Sequence, residues 1–165
     1  GRNLTLSIDE GLQALGDGEQ YTAGKVVGYK YRSLMLSPSL TYSPSWAFVT
    51  YSGDFTLSKS TSDNASMASR FNWKQSLTLT STIQKVDLSL SGIYYHNQLE
   101  GATLNTFLAD AKVTWRQKNF LVFATLANIF NKRNYVETSY SGVGIFTNSY
   151  ELRPRELILS FEFRF

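Results

Sequence analysis

The stretch ELILSFEFRF, residues 156–165, alternates apolar and polar side chains at almost every position. Its apolar positions are Leu157, Leu159, Phe161, Phe163 and Phe165. Glu, Ser and Arg fill most of the intervening positions, and Ile158 is the exception. Because successive side chains of a β-strand point to opposite faces of its sheet, the stretch is predicted to be a strand with one apolar face that ends on an aromatic residue.

The same period-two alternation recurs along the rest of the chain. It predicts seven earlier strands, at residues 3–9, 28–42, 46–58, 71–83, 85–97, 106–116 and 119–130. The final strand, from about Arg153 to Phe165, makes eight. Ser and Thr are abundant, and 10 Tyr and 11 Phe bring the aromatic share to 15%, a composition that favours β-structure over helices.

Composition and charge exclude several classes of protein. No apolar run approaches the roughly 18 residues of a transmembrane helix, although a transmembrane strand needs only about 9 to 11 residues with one apolar face. The absence of cysteine removes disulfides and thiolate metal sites. A net charge of +3 without a basic run argues against nucleic-acid binding.

The predicted connections alternate between short and long. The short ones are 43–45, 84–85 and 117–119, and the long polar ones are 10–27, 59–70, 98–105 and 131–152. Bacterial outer-membrane barrels show this alternation, with short periplasmic turns and long extracellular loops. Residues 1–165 are therefore predicted to form one domain of that kind, with both ends on the periplasmic side because the strand number is even.

A soluble sandwich or a lipocalin-like barrel could also bury one apolar sheet face. Exposed strand faces of soluble proteins usually carry many Lys and Glu, but charged residues are only 18% of this chain and its polar face is mostly Ser and Thr. Aromatic residues also gather near the strand ends, as in the aromatic girdles of membrane barrels. The pattern favours an all-β antiparallel transmembrane barrel.

The end of the chain carries a more specific signal. LANIFNKRNY (126–135) and RPRELILSFEFRF (153–165) together resemble the last two strands of TonB-dependent outer-membrane receptors, especially the SusC-like barrels. The penultimate strand of that family ends in a phrase like Asn-Leu-Phe-Asn-Lys followed by Tyr, matched here by Asn128, Ile129, Phe130, Asn131, Lys132 and Tyr135. The family's last strand begins near Pro-Arg, here Pro154 and Arg155, and ends on Phe.

The resemblance implies a C-terminal wall segment of a transporter for nutrient uptake in the bacterial outer membrane. It implies as partners the outer-membrane lipids, the remaining barrel and its plug, TonB and a surface lipoprotein. The barrel-assembly machinery would recognise the terminal strand through Leu157, Leu159, Phe161, Phe163 and Phe165. The family's barrels have about 22 strands and a plugged lumen, so the alternative is a complete eight-stranded barrel with a structural or adhesive role.

Site residues can be named for one loop only. Residues 134–150 carry Tyr135, Tyr140, Phe146 and Tyr150 among Gly and Ser, which suits stacking on a ligand or contact with a partner. A loop that simply folds over the mouth of the barrel would also account for these aromatic residues. His96 is the only histidine, and no GxSxG or calcium-loop spacing occurs, so we expect no catalytic residues, no metal site and no cofactor.

Overall fold

The computed structural model describes residues 3–22, 24–62, 65–66, 69–99, 102–141 and 144–163. These residues form strands and their connections. Within those ranges no helix has the length and hydropathy that would carry it across a membrane.

Eleven strands are found in the described residues. They are β1 (Asn3–Thr22), β2 (Lys25–Ser43), β3 (Phe48–Ser62), β4 (Ala65–Ser66), β5 (Arg70–Ile83), β6 (Val86–Leu99), β7 (Ala102–Arg116), β8 (Phe120–Ala127), β9 (Asn134–Ser141), β10 (Gly144–Glu151) and β11 (Glu156–Phe163).

Eight of these strands form one antiparallel meander in the order β1-β2-β3-β5-β6-β7-β8-β11. The short β4 pairs with β3, and β9 and β10 form a separate hairpin. The predicted all-β antiparallel fold is confirmed, and the eight meander strands correspond to the eight predicted from the alternation. No ladder joins β1 to β11 in the described ranges, so closure into a barrel is not found there.

The three short connections lie where the sequence predicts them. The β2–β3 turn is closed by the Ala47 amide, which donates to the Pro44 carbonyl at 3.3 Å. Gln84, in the β5–β6 turn, has φ +54°. The Gln117 amide donates to the Phe120 carbonyl at 2.9 Å across the β7–β8 turn. All three turns lie at the same end of the meander, because each one follows a strand that runs towards that end.

The long connections are not the irregular loops that were expected. β1 and β2 pair through the predicted 10–27 loop as far as Thr22 and Lys25, with an irregularity between Leu15 and Gly18. The 98–105 segment is mostly strand, and 131–152 contains the β9–β10 hairpin. Alternation in a sequence marks only strands with one apolar face, whereas a hydrogen-bonded ladder can extend past that face into polar sequence. The long connections are therefore largely extensions of the strands.

Candidate functional site

The register of the sheet brings the apolar positions of its strands onto one face, called here the apolar face. At one level, for example, Leu6 lies opposite Leu40, Leu40 opposite Tyr51, and Tyr51 opposite Leu77. The same phase continues to the last strand, where Leu159 lies opposite Ala124. Eight separate alternations in the sequence thus become a single surface.

The apolar face is exposed over most of its extent. Leu4 is 68% exposed at one edge of the sheet, Leu77 is 50% exposed near its middle, and Phe163 is 68% exposed at the other edge. Tyr31 and Ala109 are the only buried hydrophobic residues in the part of the chain that the structure describes. Large contiguous apolar patches on proteins mark contact with membrane or with another protein. The apolar face is accordingly a candidate contact surface.

Two groups of aromatic side chains flank the apolar face. The strand extensions at the end of the meander opposite the short turns are called here the long arms. The aromatic group nearer the long arms contains Phe55, Phe71, Trp73, Tyr94 and Phe107, with ring centroids of Phe71 and Trp73 4.9 Å apart. The group at the short-turn end contains Trp115, Phe120 and Phe163, and the rings of Trp115 and Phe120 are 5.4 Å apart.

The spacing of these two groups can be read along β7. Trp115 and Phe107 are eight positions apart on one strand, which is about 26 Å of extended chain. At the tilt of about 40° typical of membrane barrels, this corresponds to roughly 20 Å of height. That height is of the order of the apolar band of outer-membrane barrels, about 25 Å between two aromatic girdles.

The opposite side of the sheet, called here the polar face, carries rows of hydroxyl groups. The Ser7 and Ser39 hydroxyls are 2.6 Å apart, and those of Ser52 and Ser76 are 2.8 Å apart. At the short-turn end, Asp87 accepts a hydrogen bond from Thr82 at 2.8 Å and forms an ion pair with Arg116. The polar face therefore satisfies much of its own hydrogen bonding.

The β9–β10 hairpin packs on the polar face. Asn97, which is buried, donates from Nδ2 to the Val136 carbonyl at 2.9 Å. The Tyr135 ring lies 4.4 Å from the Tyr95 ring and stacks on Tyr150 at 5.9 Å. Burial raises the pKa of the Tyr135 phenol well above its ordinary value, and the neighbouring Tyr95 and Glu137 act in the same direction.

A polar cleft of about 310 Å³ lies between this hairpin and the sheet. Charged side chains from both sides line it, among them Asp54, Lys74 and Glu137. The Lys74 ammonium lies 5.6 Å from the centroid of the Tyr95 ring. Thr138 is 6% exposed, and its hydroxyl has no hydrogen-bond partner among the described residues. The cleft therefore has room and polar groups for a small hydrophilic molecule or for water.

The four aromatic residues predicted for the 134–150 segment have different surroundings. Tyr135 and Tyr150 are brought together in the stack on the polar face. Phe146 is 58% exposed on β10. The side chain of Tyr140 lies outside the described part of the structure. Their role in ligand or partner contact stays a prediction.

The terminal strand presents its predicted residues on the apolar face. Leu157, Leu159, Phe161 and Phe163 are all exposed and pair in register with β8. Phe165 lies outside the described residues. Within those residues β11 pairs with β8 only, and recognition by an assembly machinery stays a prediction.

The phrase NIFNK, residues 128–132, forms a hydrogen-bonded turn after β8. Asn128 and Asn131 both have positive φ, +49° and +52°, a conformation that Asn tolerates better than most residues. The Asn128 side chain donates to the carbonyls of Lys132 and Arg153, both at 2.7 Å, and accepts from the Lys132 amide at 2.9 Å. The Asn131 side chain accepts from the Arg155 amide at 3.0 Å. These asparagines tie β8, the hairpin and β11 together.

His96 takes part in a local contact on the apolar side. Its Nδ1 lies 2.7 Å from the Asn105 Oδ1, and its ring centroid is 4.8 Å from that of Trp73. Among the described residues, no three or more His, Cys, Asp or Glu side chains are grouped so that they could hold a metal ion.

Sequence reasoning missed a groove on the apolar face. It has a volume of about 510 Å³ and runs over Gly92 and Ala109, between larger residues such as Leu77, Leu90 and Phe107. The only sequence signal was a glycine at an apolar-face position of a predicted strand, which often marks a close approach or an open space.

Comparison of the chain with protein-family models, with curated proteins and with solved structures gave no match.

Proposed function

We propose that this chain is part of the wall of a transmembrane β-barrel in the bacterial outer membrane. The observation that carries the proposal is the apolar face, which runs exposed across eight paired strands between two groups of aromatic residues. In a lipid bilayer this face would be solvated by acyl chains, and the polar face would line the lumen. The short turns would lie in the periplasm and the long strand extensions outside the cell.

Within that class, we propose the C-terminal wall segment of a TonB-dependent transporter for nutrient uptake. Two observations support it. The last two strands carry the SusC-like pattern around Asn128, Asn131 and Pro154. In the described residues, β1 and β11 each pair on one side only, and free strand edges are open to pairing with additional strands. Energy would reach such a transporter through its plug and TonB, and a surface lipoprotein would be a further partner.

A stand-alone eight-stranded barrel with a structural or adhesive role is the second candidate. It is favoured by the even number of meander strands and by the hairpin that covers part of the polar face, because a small barrel fills its interior with its own side chains. Neither candidate is an enzyme, and neither needs a cofactor.

Membrane location is tested by fractionating cells that make the protein in its natural form. We expect the protein in the outer-membrane fraction, resistant to extraction with alkaline carbonate and with a heat-dependent shift in gel mobility. Recovery in the soluble fraction without detergent would overturn both membrane candidates and favour a soluble carrier.

The mass of the natural protein separates the two membrane candidates. The sequence accounts for 18.6 kDa. A natural species several times heavier, with the 165 residues at one end of it, supports the transporter. A natural species close to that mass supports the small barrel.

A further inference from the structure

The groove on the apolar face differs from the surface around it because its floor is made of small residues. Gly92 and Ala109 lie opposite each other on β6 and β7. A Cβ placed on Gly92 would come into van der Waals contact with the Phe107 ring at 3.5 Å, so the glycine leaves space on the groove floor that a larger side chain would fill. Leu77 and Leu90 rise beside this floor, and together they define a channel of about 510 Å³.

One wall of the groove comes from outside the sheet. The Ile129 amide in the turn after β8 donates to the Ala109 carbonyl at 2.8 Å, which holds the turn against β7. The Phe130 ring then lies 4.9 Å from the Phe107 ring and extends the groove outward. Because hydrogen bonds of the Asn128 side chain hold this turn in place, the groove is a built feature of the fold.

A polar side chain lies at one end of the groove. Gln75 lines the groove and occupies an apolar-face position of β5, between Leu77 and Trp73 of the aromatic group nearer the long arms. Its side-chain amide makes no hydrogen bond with another residue in the described part of the chain. An amide facing an apolar medium is stabilised by gaining a carbonyl or hydroxyl partner.

We propose that the groove binds one acyl chain of a membrane lipid, with the carbonyl of the lipid's ester or amide linkage accepting a hydrogen bond from Gln75 Nε2. The acyl chain lies over Gly92 and Ala109. This inference rests on the proposed membrane location, because it requires the apolar face to meet lipid. It goes beyond that proposal by assigning one acyl chain and its carbonyl linkage to a specific place on the wall.

Two properties favour an acyl chain over a protein segment as the occupant. The groove is continuous with the exposed apolar face, so a chain can enter it from the surrounding bilayer. The Gln75 amide lies beside the aromatic group that would mark the membrane interface, which is the depth of a lipid's carbonyl linkages. A helix or strand of a partner would bring several backbone donors and acceptors to a groove that is lined mainly by apolar side chains.

The test uses the protein as it occurs in the cell, extracted in a mild detergent and analysed by native mass spectrometry. We expect one lipid to be retained per protein. Gly92→Leu should remove most of this bound lipid by filling the floor. Gln75→Leu should reduce the lipid-bound fraction about fivefold, the effect of losing one hydrogen bond. Ala124→Leu is the matched control, because it enlarges a residue of the same face outside the groove and should leave the bound lipid unchanged.

A second measurement separates failure of this inference from failure of the proposed membrane location. The protein is placed in vesicles of phosphatidylcholine with brominated acyl chains, and quenching of the fluorescence of Trp73 and Trp115 is recorded. Quenching without any retained lipid, or with retention that neither groove substitution reduces, overturns the acyl-chain site and leaves the membrane location intact. Absence of quenching overturns both. A retained free fatty acid, or a retained second copy of the chain, also overturns the lipid assignment.

Discussion

Two neighbouring rows of the sheet differ by one residue in every strand and have opposite chemistry. One row, on the apolar face, runs through Leu6, Leu40, Tyr51 and Leu77, and the other, on the polar face, runs through Ser7, Ser39, Ser52 and Ser76. Pairs of the serine row hydrogen-bond to each other, whereas Leu6 and Leu77 of the leucine row are exposed. The polar face thus satisfies much of its hydrogen bonding by itself, whereas the free energy of the exposed apolar face depends on the medium around it.

This contrast also explains why the register has to be kept. A slip of one residue in any strand would move its hydroxyls to the apolar face and its apolar side chains to the polar face. The faces remain in phase from β1 to β11 despite the irregularity between Leu15 and Gly18, which lies towards the arm end of the first hairpin. The pairing of β1 with β2 is therefore continuous from Asn3 to Leu15, and the rows of side chains there keep their faces.

The largest effect is expected from a charge on the apolar face. Leu79 lies opposite Val49 and Leu90 on that face. In a bilayer, Leu79→Arg should lower the free energy of unfolding by about 2 to 4 kcal/mol, the cost of Arg near the middle of a membrane barrel. The measurement is urea unfolding of the protein in lipid vesicles.

The control for this substitution is the adjacent residue on the polar face. Thr78→Arg introduces the same charge between Thr50 and Ser91 and should cost less than about 1 kcal/mol, as for an accessible polar position. Equal losses for the two variants would contradict a lipid environment for the apolar face.

A smaller effect is expected where the hairpin is held on the polar face. Asn97→Ala removes the hydrogen bond to the Val136 carbonyl and should weaken docking of the hairpin by about 1 to 2 kcal/mol. Hydrogen exchange of the amides of residues 134–138 should become faster, while exchange in β5 stays unchanged. The control is Asn105→Ala, which removes the contact with His96 on the apolar face of β6 and β7, away from the β9–β10 hairpin. Unchanged exchange in the hairpin would show that Asn97 does not hold it.

A still smaller effect is expected for the ion pair at the short-turn end of the polar face. The Arg116 side chain is mostly exposed, and such pairs contribute little because solvent and salt screen them. A double-mutant cycle of Asp87→Asn and Arg116→Ala should give a weak favourable coupling that disappears at high salt. A strong coupling that persists at high salt would mean that this end of the polar face is shielded from water.

The last prediction concerns the ionisation of Tyr135, which changes stability only at alkaline pH. Because the folded protein holds the pKa of Tyr135 above its ordinary value, the phenol stays protonated after the unfolded chain begins to ionise near pH 10. Its contribution to stability is complete below that pH and is lost as the pH rises through the folded pKa. Absorbance of phenolate should show one tyrosine titrating late in the wild type, and that step should be missing in Tyr135→Phe. A late step that persists in the variant would assign it to another tyrosine.

The turn at Asn128 shows what a sequence pattern can and cannot supply. The phrase NIFNK was recognisable in the sequence, but its role was not, because the partners of Asn128 include Arg153, 25 residues further along the chain. The groove on the apolar face was hidden for the same reason. Gly92 and Ala109 become neighbours through the β6–β7 register, and Phe130 reaches them only because the turn folds back onto β7.

The extent of the strands shows a second limit. Alternation located the part of each meander strand that carries the apolar face, and the three short turns, because one apolar and one polar face leave a period of two in the sequence. Beyond the apolar face the same ladders continue through polar residues up to Thr22 and Lys25, where the sequence carries no such period. Gly24, with φ +79°, has a backbone conformation that favours glycine in the turn between them.

The sequence by itself determined the fold class, the number of strands in the meander and the chemistry of the two faces, since these depend on the alternation within each strand. The tertiary structure alone decided that the eight alternations stay in phase, that the β9–β10 hairpin lies on the polar face against Tyr95 and Asn97, and that a groove opens over Gly92. These features depend on register and on contacts between distant residues. Local side-chain periodicity does not encode them.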